Sequence, residues 1–74
     1  MGRADESVSL GDVEVIAVTD RALLVRGDFG GDEDGEWIPK SQIAKDGGDL
    51  DENALVGEEG ELAVTSWLAG KRGW

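Results

Sequence analysis

Lys40–Ser41 sets a potential nucleophile beside a potential base. A serine hydroxyl attacks only when a neighbouring group takes its proton. The 74 residues include no His and no Cys, so Lys40 would have to serve. Adjacent side chains on an extended segment point to opposite faces, which keeps Lys40 and Ser41 from forming a Ser–Lys dyad. Paired carboxylates can hydrolyse glycosidic bonds. With 17 Asp and Glu some pair arises by chance, and these lie in glycine-rich stretches that frame no cleft. Gly27-Asp28-Phe29-Gly30-Gly31 has the wrong spacing for a phosphate cradle and puts a carboxylate where phosphates would sit. The chain is expected not to be an enzyme, and no cofactor is expected.

Two stretches invite comparison with a calcium loop. Asp32, Asp34 and Gly35 match its third, fifth and sixth positions, but Gly30 then takes the first ligand position and Ser41 the last. Asp49, Asp51 and Asn53 match the first, third and fifth, but Ala54 stands where Gly is wanted and Gly60 where Glu is wanted. Absence of Cys and His excludes the usual zinc sites. No metal site is expected.

What remains is recognition chemistry. Trp37-Ile38-Pro39-Lys40-Ser41-Gln42-Ile43 is the densest mixture of large apolar, rigid and hydrogen-bonding residues in the chain. Trp dominates interface hot spots. Trp37, Lys40, Trp67 and Trp74 are therefore the candidate interaction residues, set beside an acidic rim. The alternative for each Trp is a purely structural place in a small core. Most acids fall in two blocks, Asp28 to Glu36 and Asp46 to Glu61, which read as solvated loops or as a surface for a basic partner.

The formal net charge of −10 sharpens the choice of partner. It opposes a phosphate backbone, which is held by clustered Lys and Arg, and an anionic membrane surface. It permits a basic protein or a homo-oligomer. It also suits a saline, halophilic cytoplasm, where salt screens the repulsion. Nucleic acid is the weaker alternative: a small barrel with exposed aromatics can stack single-stranded bases. That reading requires Arg21, Arg26, Lys40 and Lys45 to converge on one face. No apolar run approaches the roughly 20 residues of a membrane-spanning helix, and no signal peptide opens the sequence. A cytoplasmic protein is expected.

The elements that must position these residues are short and β-rich. Length points to one domain, with residues 1–6 as a disordered tail and 44–60 as a long acidic loop. Val13 to Thr19 is rich in β-branched residues and alternates at its start. Thr19-Asp20-Arg21 reads as a hairpin turn before the apolar run Ala22 to Arg26. Pro39 lacks an N–H, so Glu36 to Pro39 ends in a kink or turn, with Trp37 and Pro39 on one face and Ile38 on the other. Thr65 or Ser66 is a good N-cap, Lys71 and Arg72 suit a helix C-terminus, and Gly73 can end it. Strands are expected near 7–10, 13–19, 22–29, 36–43 and 61–65, with a helix over 66–72. One turn of helix could form around Asp51 to Leu55. Trp67 and Leu68 are expected against the open end of the sheet. Trp74 is expected to be the more exposed tryptophan unless it folds back over the core. The fold class is mainly β: a small half-open SH3-like barrel or an antiparallel meander, with one short C-terminal helix.

Two stretches carry a resemblance. E-W-I-P-K-S-Q-I at Glu36 to Ile43 and S-W-L-A-x-K-x-G at Ser66 to Gly73 resemble segments of a diffuse group of small proteins encoded by phages, prophages and other mobile elements. The resemblance covers roughly a fifth of the chain. It implies an accessory factor that engages a host or replication protein. The acidic segment between the motifs is longer here than in that group, so a shared surface is not implied there.

Overall fold

The computed structural model describes residues 7–30, 33–44 and 48–74. The chain is mainly β, with four antiparallel strands in one open sheet and a short C-terminal helix. The strands are β1 (Ser7–Val18), β2 (Ala22–Gly27), β3 (Glu36–Pro39) and β4 (Glu59–Thr65), and the helix is α1 (Ser66–Arg72). Their spatial order is β3-β2-β1-β4. The first three form a meander, and β4 returns to the far side of β1. The expected disordered tail at 1–6 lies outside the described residues.

β1 is a single strand where two were expected. Its pairing with β4 shifts between Ser9 and Asp12, so Leu10–Gly11 form a bulge inside the strand and not a break. A second irregularity falls between Val15 and Ala17 opposite β2. The turn into β2 is fastened by Thr19, whose hydroxyl accepts from the backbone N–H of Arg21 and Ala22. β2 ends at Gly27, two residues before Phe29. β3 stops at Pro39, and Lys40–Gln42 form a single turn of 3-10 helix. The chain then reaches the outer side of β4: Ile43 bridges Val64, and the Ala44 N–H donates to the Ala63 carbonyl at 2.9 Å. This contact half-closes the sheet.

The core lies on one side of the sheet. Val13 and Val15 of β1, Leu23 and Val25 of β2, Ile38 of β3 and Leu62 and Val64 of β4 are buried there with Leu68 and Ala69 of α1. The segment between Ala44 and β4 contributes Leu50 and Ala54, both buried. The Leu50 N–H donates to Glu61 O at 3.0 Å, tying this acidic excursion to β4. In place of the expected turn of helix around Asp51 to Leu55 there is a single non-helical turn, closed by the Ala54 N–H on Asp51 O.

Helix α1 runs over the expected residues for the expected reasons. The Thr65 hydroxyl accepts from the Leu68 N–H, and Gly73 adopts the left-handed conformation beyond Arg72. A seven-residue helix has little stability of its own. Thr65→Ala is expected to cost about 1 kcal/mol, read as a lower midpoint in urea with an unchanged slope.

Candidate interaction surface

The strand register sorts the side chains into two faces. Trp37 lies opposite Leu24, and Leu24 lies opposite Ala17. Ala22 pairs with Pro39 on the same side. These residues, together with the bulged Ile16, occupy the face away from the core. All are partly or largely exposed, and Trp37 is 44% exposed. On the opposite face Ile38 and its partner Leu23 are fully buried. One strand thus carries a core anchor and an exposed aromatic at adjacent positions.

The outer face is packed as well as apolar. A Cβ placed on Gly35 would come within 2.9 Å of Ile16 Cδ1 and 3.0 Å of Leu24 Cδ1, so the glycine backbone lies directly on those two side chains. Its φ of 109° is one that residues with a Cβ rarely adopt. The entry into β3 therefore braces the row of which Trp37 is the most exposed member.

At the other edge of β1 a tight turn displays two further apolar side chains. Leu55 is 65% exposed and Val56 is 63% exposed. The turn is held from both ends. The Leu55 N–H donates to Glu58 Oε2 at 2.9 Å, and the Glu58 N–H donates to Leu55 O at 3.1 Å. The Gly57 N–H donates to Val15 O at 2.8 Å, and the Val15 N–H donates to Glu58 O at 2.9 Å. These bonds set the turn beside Val15–Ile16. Neither residue was singled out as a site from the sequence. A signal was present: two large apolar residues directly before a glycine mark a turn that must show at least one of them to solvent.

The other candidate residues fall elsewhere. Trp67 is 61% exposed on α1, with Lys71 Nζ 5.0 Å from the centre of its ring. Leu68 takes its expected seat against the sheet, and Ala69 is buried there in place of Trp67. Trp74 folds back. Its ring packs against the core and meets Phe29 edge-on at 4.9 Å, with the Arg72 guanidinium 5.4 Å away. Arg72 also bonds Glu36 at 3.0 Å and reaches the Trp37 carbonyl, so α1 is strapped to β3. Lys40 is half-buried, and its backbone N–H donates to Arg21 O at 2.7 Å. Trp37 and Lys40 thus share β3 and the turn after it, whereas Trp67 and Trp74 sit on α1 and just beyond it.

Lys40 and Ser41 rim an open hollow of about 380 Å³ with Ile43 and Glu52. A second hollow, of about 420 Å³, is bordered by Asp12, Glu14, Arg26 and Glu59, and Arg26 is tied to Glu14 at 3.0 Å. Arg21 and Lys40 meet through their backbones, Arg26 is engaged on β1, and Lys45 lies outside the described residues. Among the described residues no three acidic side chains gather as they would around a metal ion. Asp49 and Asp51 are turned to backbone work, accepting from the N–H of Glu61 and Asn53 respectively. Asp32 of the first loop lies outside the described residues. No helix among them is long and apolar enough to cross a membrane. Comparison with known protein families, curated proteins and solved structures returns no match.

Proposed function

We propose that this protein is a non-catalytic interaction module that docks a protein partner on the outer face of its sheet, with Trp37 as the anchor. The observation that carries the reading is the position of Trp37: 44% exposed within a half-exposed apolar row, braced by Gly35 and backed by the buried Ile38. An anchor held in one geometry loses little conformational freedom on binding. Trp67 is a second contact on α1. The resemblance to mobile-element proteins suggests a host or replication protein as the partner. Affinity capture with the intact chain tests this. A specific protein retained by the wild type and lost on Trp37→Ala, with the circular dichroism spectrum unchanged, supports it. Retention that is indifferent to both Trp37→Ala and Trp67→Ala overturns it.

Single-stranded nucleic-acid binding is the second reading. It draws on the pairing of Lys71 with Trp67 and of Arg72 with Trp74 at α1. A formal charge of −10 opposes it. Capture of nuclease-sensitive material and no protein would favour it.

The charge also supports a saline setting. Seventeen acids against seven bases on one small domain repel one another, and salt screens that repulsion. The unfolding temperature is expected to rise by several degrees between low and molar salt at fixed protein concentration. A flat profile by differential scanning calorimetry would remove the argument.

A further inference from the structure

We infer that the docking surface continues across the sheet to the Leu55–Val56 turn, and that its occupant is an extended, cationic amphipathic segment of another protein. The inference rests on the reading of Trp37 as a docking anchor. The register supplies the continuity. From Trp37 the row passes to Leu24, then to Ile16 and Ala17, and then to the turn hydrogen-bonded to Val15. These are three strand-to-strand steps of about 4.8 Å, or roughly 14 Å in all. Alternate side chains of an extended segment recur about every 7 Å. Three apolar side chains on one side of such a segment match Trp37, the Leu24–Ile16 centre and Val56.

The turn is built to display its tip. Its four hydrogen bonds, two of them to Val15, involve only backbone groups and the Glu58 carboxylate. Polar residues at 55 and 56 would leave those bonds intact, so folding does not require apolar ones there. Two large apolar side chains more than 60% exposed on a fixed turn are the pattern of a contact site.

Charge selects the occupant. Exposed Glu58 and Glu59 border the turn, and exposed Glu33 and Asp34 precede the entry into β3. A second copy would bring a net charge of −10 against another −10, and a phosphate backbone would be repelled in the same way. Lysine or arginine on the other side of the occupant would face this acidic rim and hasten encounter.

The test is an NMR titration of the intact chain with two synthetic peptides, one alternating lysine with leucine and the other glutamate with leucine. The lysine peptide is expected to shift the amides of Ala17, Leu24, Trp37 and Leu55 to Gly57 together, and the glutamate peptide none of them. Binding is expected to weaken roughly tenfold in Trp37→Ala, and by a similar factor in the double variant Leu55→Ser/Val56→Ser. It should weaken further in molar salt. If only Trp37→Ala weakens it, the Trp37 anchor stands and the extension to the turn is wrong. If only the double variant does, both readings fall. Equal shifts in wild type and variants, confined to the acidic loops, would mean unspecific charge attraction and overturn the inference. So would a dimer seen by sedimentation without peptide and abolished by Leu55→Ser/Val56→Ser, because the occupant would then be a second copy.

Discussion

Ile38→Ala is expected to cost about 3 kcal/mol and to lower the unfolding temperature by roughly 15 °C or more. Ile38 is fully buried and pairs with the fully buried Leu23. Its truncation removes apolar contact and leaves a void that the strand pairing holds open. A domain this small has a modest stability reserve, so the loss is a large share of the total. Trp37→Ala next door deletes a larger side chain but one that is 44% exposed, so it should cost less. The comparison is the informative measurement. Equal losses in the two variants, measured by urea unfolding, would mean that Trp37 is held as firmly as the core and would count against an open outer face.

Gly35→Ala is expected to cost about 2 kcal/mol, mostly through its backbone. Two terms oppose an added Cβ. The first is the φ of 109°, which nothing nearby can relieve. The second is the approach to Ile16 and Leu24, and the closest atoms there, both Cδ1, are ends of side chains that can turn aside. The backbone term should therefore dominate. In a Leu24→Ala background most of the cost should persist, with a coupling below about 0.5 kcal/mol. A coupling well above that would show that the contact with Leu24 dominates. Trp37 fluorescence should shift in the single variant, because the braced row loses its fixed arrangement.

The helix was legible in the sequence because capping is local: Thr65, the basic last turn and Gly73 act within a few residues of one another. Alternation made it legible that Trp37 and Pro39 share one face of β3 and Ile38 the other, but not which face turns inward. The bulge at Leu10–Gly11 falls where the sequence allowed either a turn or a bulge, because the two use the same residues and only the partner strand distinguishes them. Trp67 and Leu68 are neighbours of similar hydrophobicity, and which of them turns inward depends on how α1 crosses the sheet. Trp74 folds back onto Phe29, which is far away in sequence. The Leu55–Val56 turn was missed for the same kind of reason: its fixed position depends on bonds to Val15 on β1.

β1 pairs on both sides, and the two pairings make unequal demands on the search for the native state. Its pairing with β2 closes across a short turn, whereas in its pairing with β4 Ser9 must find Ala63, across most of the chain. Closing so long a loop restricts the chain before any contact rewards it. The β1–β2–β3 meander can form early, and it then waits with β1 exposing an unpaired edge until β4 arrives. During that interval the acidic residues of the excursion repel other copies of the chain. That repulsion protects the open edge from self-association while the sheet is incomplete.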